Sequence, residues 1–335
     1  MKRFRVFLTM AAVLLLGIGL ACTGAAVAGG VKIVDHAGRE VVLPDEVKRV
    51  VTTMPYQVEI MMALGSLDKV VGVHTRVRRP QVGVLKYCGD KLEKMTDIGA
   101  WPDINAETII KLHPDAVIFG GREENMERIL AGAGIPVVAA FTNSPPEEIV
   151  RMIGETVGAK ERTGRLLSAK KEKLGIIHKR LADLPAEKRV KVIVVGFNEP
   201  TNAVGGSFFT TFVVEDACCV NVAKETPKSG ITKVSLEQII RWDPEIIVVN
   251  AFSPSAMEKI LGDVSWKPIS AVRNGRVCLE PPDTHFLFRQ TTSHIGSLWL
   301  AKLAYPKTFD DIDIQKEMDD FWTEFYGRPF PGRVD

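Results

Sequence analysis

Ile104-Asn-Ala-Glu-Thr-Ile-Ile-Lys-Leu-His-Pro-Asp-Ala-Val-Ile-Phe119 returns later in the chain as Val234-Ser-Leu-Glu-Gln-Ile-Ile-Arg-Trp-Asp-Pro-Glu-Ile-Ile-Val-Val249. In each copy a polar residue, Asn105 or Ser235, is placed to cap a short helix. Pro114 or Pro244 then stops that helix, and an apolar strand follows at once. The chain therefore contains the same helix-to-strand unit twice, and each copy needs its own sheet.

Outward from the first copy, β-branched runs alternate with amphipathic helices. Val50 to Met54, Val70 to Val73, Ala116 to Phe119 and Val137 to Ala140 read as strands; Ile60 to Leu64, Ala106 to Leu112 and Asn125 to Ala131 read as helices. The pattern resumes with Val190 to Gly196, Phe208 to Glu215, Leu236 to Trp242, Ile246 to Asn250, Ala256 to Leu261 and Val277 to Glu280. Strand-helix-strand alternation implies parallel sheets covered by helices. Between the two series, Lys160 to Leu184 carries an apolar stripe of Leu166, Leu167, Leu174, Ile177 and Leu181, interrupted by only two glycines. The expected fold is α/β: two Rossmann-like lobes with mainly parallel sheets joined by a long connector helix. The expected boundaries are residues 31–157 for the first lobe, 158–185 for the connector and 186–335 for the second lobe. A chain of 335 residues exceeds what one core usually serves, which fits two lobes. A stiff connector rather than a Gly-Ser-Pro linker predicts limited lobe movement.

The 43 basic and 41 acidic side chains leave a net charge of only +2, too weak a field to imply a nucleic acid or membrane-surface partner. Lys2, Arg3 and Arg5 followed by apolar Val6 to Leu20 read as an export signal. Two processing sites compete: Ala26-Val27-Ala28 fits simple cleavage, leaving 1–28 as signal, and Leu20-Ala21-Cys22 resembles a lipoprotein box, leaving 1–21 with lipid at Cys22. Cys88, Cys218, Cys219 and Cys278 are too few and scattered for a disulfide scaffold, and adjacent Cys218 and Cys219 suit core packing better than a soft-metal site.

Ligands of open parallel sheets bind beyond the carboxyl ends of the strands. In the first lobe this rule selects Tyr56, His74, Arg76, Trp101 and Gly121-Arg122. In the second it selects Asn198, Glu199, the Gly205-Gly206-Ser207-Phe208 turn, Asn250 to Phe252, and Asp283 through His285 to Arg289. Arg76, Arg78, Arg79, Arg122 and Arg289 favour an anionic ligand, because guanidinium groups hold carboxylates and oxyanions bidentately. The simpler account of any one of them is a solvated surface arginine; Arg289 is the strongest individual candidate. Trp101, Tyr56, Phe208 and Phe286 offer flat apolar walls. Gly205-Gly206-Ser207 opening a helix offers backbone amides to an oxyanion. Tyr56 or His285 could ligate a haem axially. A bare metal ion would need converging His and carboxylate ligands, and of six histidines only His74 and His285 are placed for a cleft.

Glu107 and Glu237 fall at equivalent first-turn positions of the repeat. Each alone merely complements a helix dipole; together they form a spaced acidic pair suited to a two-fold-symmetric basic partner.

Asp35-x-x-Gly38-Arg39-x-Val41-x-Leu43-Pro44, Arg49-Val-Val, Leu64-Gly65, the two repeated units and Leu298-Trp-Leu-Ala-Lys-Leu-Ala-Tyr-Pro306 together resemble the substrate-binding proteins for iron-siderophores, haem and vitamin B12. The resemblance covers the chain after the export segment. It implies two lobes joined by one backbone helix, and an exported solute-binding component of an ABC importer. The expected cargo is a metal chelate (ferric siderophore, haem or corrinoid) held in the interlobe cleft, with an oxyanion such as molybdate or tungstate as the alternative. In the vitamin B12-binding member the matching glutamates contact arginines of the two permease subunits, which implies that Glu107 and Glu237 dock an ABC permease dimer. The resemblance also places Trp101 at an aromatic pocket position and Asp283 near a pocket acid. Cys218 falls near a cysteine of that relative whose partner has no counterpart here. No cofactor and a monomer are expected. A chelatase-like enzyme is the reading from another class, but no Gly-x-Ser-x-Gly, His-Glu-x-x-His or phosphate-loop motif supports it.

Overall fold

The computed structural model describes residues 30–78, 84–87, 91–197, 199–226 and 230–334. The export segment with Cys22, and Arg79, Cys88 and Asn198, lie outside the described residues. A hairpin of β1 (Val31–Val34) and β2 (Glu40–Leu43) leads into β3 (Val50–Thr52), α1 (Pro55–Ala63), β4 (Val70–Val73), α2 (Thr75–Arg78), β5 (Thr96–Asp97), α3 (Ala106–Lys111), β6 (Ala116–Phe119), α4 (Glu124–Gly132), β7 (Val137–Ala139) and α5 (Pro146–Thr156). The first-lobe sheet runs β5-β4-β3-β6-β7 and is parallel throughout. The order reverses between β3 and β6, so the crevice of this doubly wound sheet opens beside Tyr56 and Gly120.

Helix α6 (Lys160–Arg180) spans 21 residues and joins the lobes. The second lobe follows as β8 (Lys191–Gly196), β9 (Glu199–Gly205), α7 (Phe209–Asp216), β10 (Val220–Asn221), β11 (Gly230–Lys233), α8 (Leu236–Trp242), β12 (Ile246–Val249), α9 (Pro254–Gly262), α10 (Ser270–Arg273), β13 (Val277–Leu279) and α11 (Ser293–Ala304). Its sheet runs β11-β9-β8-β12-β13, with β10 also on β8. The β8, β10, β12 and β13 pairings are parallel, whereas β9 is antiparallel to both β8 and β11. Strand β9 corrects the sequence reading, which left Glu199 and Gly205 in loops. Its Glu-Pro-Thr-Asn opening is polar and its apolar residues are confined to the last turn before Gly205. The chain turns back into it at Phe197, which has a left-handed φ of 57°.

Both repeated units fold alike, in more detail than their motif. Asn105 Oδ1 accepts from the Thr108 amide at 2.8 Å, and Ser235 Oγ from the Gln238 amide at 3.2 Å. His113 and Asp243, each closing its helix just before the proline, take left-handed φ angles of 44° and 43°, the conformation in which helices commonly end. The acid after the proline then pins the neighbouring strand: Asp115 accepts from Arg49 N at 2.9 Å and Glu245 from Lys191 N at 2.9 Å. One unit thus sets β6 beside β3 and β12 beside β8.

Period-two alternation sorts the strands between layers. Ile193 and Val195 bury into the outer layer of the second lobe, while Val192 and Val194 face a core shared with α1, α5, α6, α7 and α11. Parallel strands buried on both faces explain their unbroken apolar runs. The segment after α11 packs against both α11 and first-lobe residues. In α12 (Ile314–Tyr326), Trp322 packs on Tyr87 at 6.2 Å and the Phe325 carbonyl accepts from Arg162. Apolar residues at Ile314, Met318, Phe321, Trp322 and Phe325 give α12 a face that the shared core buries.

Candidate interlobe binding site

In the first lobe the residues after β3 are fixed by their own side chains. Gln57 Oε1 accepts from the amides of Thr53 at 2.9 Å and Met54 at 3.1 Å, tying the start of α1 to the strand end. Tyr56 is buried, and its hydroxyl donates to the Ala140 carbonyl at 2.9 Å, joining the loops after β3 and β7. Glycine is required between them, because a Cβ on Gly120 would lie 2.6 Å from Met54 Cγ and 2.9 Å from the Tyr56 hydroxyl. Trp101 is half-buried and edge-on to Phe119 at 6.0 Å, with its Nε1 buried and unpartnered among the described residues. His74 is buried and its Nδ1 accepts from the Arg76 amide at 3.1 Å; burial and then the Arg76 charge lower its pKa, so the ring is neutral. Arg76 and Arg122 are exposed, Arg122 stacking 6.0 Å from the Phe141 ring.

In the second lobe Asn250, just past β12, donates from Nδ2 to His285 Nε2 at 2.9 Å and accepts the Phe252 amide at 3.0 Å. His285, at a left-handed φ of 52°, stacks on Phe288 at 4.8 Å and meets exposed Phe252 edge-on. Glu280, at the end of β13, accepts from the Leu287 amide at 2.6 Å and lies 3.3 Å from His285 Nε2. Burial pushes the Glu280 carboxyl up to about 8 and holds the His285 imidazole well below its usual range. The pair is therefore mostly uncharged at neutral pH, with Nδ1 of His285 buried and unpartnered among the described residues.

Several contacts cross between lobes. Phe209 N at the start of α7 donates to the Thr142 carbonyl at 3.3 Å. Asp283 pairs with Lys86 and accepts the Arg333 amide at 2.8 Å; burial would raise its carboxyl, but these partners hold it below the usual value. Arg289, 8% exposed, brings Nε to 2.8 Å from Oε1 of Glu59, which is 1% exposed on α1. That approach is not a directed hydrogen bond: Arg289 Nε and both Glu59 oxygens have no hydrogen-bond partner among the described residues.

The structure thus groups His285, Phe208 and Arg289 around Phe288, brings Tyr56 to the switch point, and leaves Arg76, Arg122 and Ser207 on exposed positions. Three expectations meet internal contacts. The Tyr56 hydroxyl and His285 Nε2 are both engaged internally, which leaves Nδ1 of His285 as the ring nitrogen without a partner among the described residues. The Phe209 amide donates to the Thr142 carbonyl and the Gly206 amide to the Lys224 carbonyl, so these two amides are already engaged. Asp283 is neutralised by Lys86 rather than acting as a lone pocket acid.

Glu59, Glu280 and Lys170 escaped sequence reading. Glu59 and Glu280 are lone charges at apolar elements, which is the signal that was there, whereas Lys170 sits among the other charges of α6 and only its place on the apolar stripe marked it. Glu107 and Glu237 are exposed in the first turns of α3 and α8, and Glu107 pairs with Lys111 at 2.7 Å. Cys218, Cys219 and Cys278 are free thiols, and burial pushes Cys219 and Cys278 up to about 12, as core packing requires. Among the described residues no group of three or more His, Cys, Asp or Glu is placed to hold a metal ion, and no helix is long and apolar enough to cross a membrane.

The family model described as "Periplasmic binding protein" matches residues 50–284. The molybdate-binding protein MolA of Haemophilus influenzae is 27% identical over 320 residues, covering 88% of this chain and 90% of its own. YvrC of Bacillus subtilis, an uncharacterized ABC transporter substrate-binding lipoprotein, is 29% identical over 84% of this chain and 87% of its own. The structure of MolA with bound molybdate superposes with a TM-score of 0.79, at 25% identity, over 90% of this chain and all of that one.

Proposed function

This chain belongs to the periplasmic binding protein family, and on that premise we propose that its cargo is a small tetrahedral oxyanion of the molybdate and tungstate class. It is the substrate-binding component of an ABC transporter and not an enzyme. The observation that carries the cargo reading is the chemistry of buried donors on segments that follow the strand ends. Trp101 Nε1 and Gln57 Nε2 are buried donors without hydrogen-bond partners among the described residues, and Arg289 Nε, ion-paired with Glu59, directs no hydrogen bond; they lie on segments that follow β5, β3 and β13. Buried polar groups are normally satisfied, and an acceptor-only dianion is the ligand that satisfies donors. The likeness to a molybdate-binding relative over nearly the whole chain supports the same reading. Lobe-crossing contacts are made at Glu59, Lys86 and Thr142, and the first expectation from sequence was a metal chelate (ferric siderophore, haem or corrinoid).

Thermal unfolding of the mature protein against molybdate, tungstate, sulfate, a ferric hydroxamate and haem tests this. Molybdate or tungstate at about a hundred times its Kd should stabilise the fold by about 2.7 kcal/mol. A shift with the chelates alone would return the cargo to that class.

Delivery rests on Glu107 and Glu237, exposed at equivalent positions of the repeat. Changing both to alanine should abolish most transport into reconstituted vesicles while the Kd for cargo stays unchanged. A parallel loss of binding would remove them from docking. The protein works on the extracytoplasmic face, and intact-mass measurement of the membrane fraction separates acylation at Cys22 from cleavage after Ala28.

A further inference from the structure

We infer that Glu59 is a built-in competitor for the cargo anion: its carboxylate occupies the guanidinium of Arg289 across the lobe junction, and an anion captures Arg289 by displacing it. The inference rests on the oxyanion reading and names a residue that sets its selectivity.

The geometry is unusual for a structural ion pair. Glu59 comes from α1 of the first lobe and Arg289 from the segment after β13 of the second, so the contact exists only while the lobes are together. Both side chains are buried, yet neither carboxylate oxygen accepts a hydrogen bond and Arg289 Nε directs none. Arg289 has one further donor contact, a long 3.4 Å approach from Nη1 to the Phe288 carbonyl. A buried pair kept for stability would saturate its lone pairs and N–H groups, because the desolvation cost is otherwise not offset. This pair is held by proximity alone, and a better-matched acceptor can replace the carboxylate.

The surroundings favour exchange. Helix α1 packs against α2, β3, β4, α5 and α12, and among the described residues Arg289 is the charged group that acts on Glu59. Arg289 in turn is faced by Glu280 and His285. Burial pushes the Glu59 carboxyl up to about 7, against the opposing pull of Arg289. Below that value Glu59 takes a proton and its hold on Arg289 lapses; above it the carboxylate competes. Anion capture should therefore be accompanied by proton uptake at alkaline pH.

The test is calorimetric titration of the wild-type protein and Glu59→Gln with molybdate between pH 6 and 9. In the wild type, affinity should fall by about tenfold for each pH unit above about pH 7. Titrations at pH 8 in buffers of different ionisation enthalpy should report uptake of about one proton per anion. Glu59→Gln should bind more tightly than wild type at pH 8 and lose most of the slope, retaining only what Glu280 contributes. No proton uptake in the wild type, or an unchanged slope in Glu59→Gln, overturns the inference while leaving oxyanion capture standing. Absence of molybdate and tungstate binding at every pH removes both together. If Glu59→Gln fails to fold, the wild-type proton count alone decides.

Discussion

Arg289→Ala is expected to weaken oxyanion capture by about 1.5–3 kcal/mol, roughly 10- to 150-fold in Kd. The guanidinium is nine-tenths buried and directs no hydrogen bond at Nε, so a charged contact to cargo would form where water competes little. The fold should survive. Glu59, already pushed up to about 7, loses the cation that opposes burial and remains protonated, which avoids an uncompensated buried charge. Arg289→Lys should recover only part of the affinity, because an ammonium lacks the planar fork. Calorimetry beside thermal unfolding checks both halves: unchanged affinity with an intact fold would take Arg289 out of the site.

Lys170→Ala is expected to destabilise the protein by about 3–5 kcal/mol. Lys170 sits in the middle of the connector α6 with no exposed surface, and its Nζ donates to the Gln290 carbonyl at 2.7 Å and to Ser293. Glu147 of α5 lies 3.3 Å away, and Asp216 of α7, its carboxyl pushed up to about 7 by burial, also acts on the ammonium. One side chain therefore ties the first lobe, the connector and the stretch directly after Arg289. Truncation leaves acceptors and a cavity in a close-packed region. Lys170→Met, which keeps the volume, should cost less, about 1–3 kcal/mol for the unmet carbonyl and hydroxyl. Urea unfolding of the two variants measures both. A loss below about 1 kcal/mol for alanine would show that this junction does not hold the lobes.

The repeat made the architecture legible because local chemistry and tertiary role coincide in it. Asn105 and Ser235 cap, Pro114 and Pro244 terminate, and the strands that follow take central places in their sheets. Connector α6 was readable from its stripe, but Lys170 inside that stripe was not. A lysine at helical spacing reads as solvated until its partners, Gln290 and Ser293, are brought in from far along the chain. Strand β9 was hidden by its polar first half, whose burial depends on β8 and β11 alongside. Candidate site residues divided by the same rule. Positions next to a strand end, such as Tyr56 and His285, could be nominated from sequence, but whether a polar atom is spent internally was decided by Ala140 and Asn250, which no spacing links to them. Glu59 and Arg289 meet only because the two lobes pack on each other.

Equilibrium dialysis of the purified mature protein against molybdate, with tungstate, sulfate and a ferric hydroxamate as competitors, tests cargo capture most directly. Saturation at one molybdate per chain, displaced by tungstate and not by the hydroxamate, is the predicted result. Retention of the hydroxamate with no retention of either oxyanion would contradict the assignment.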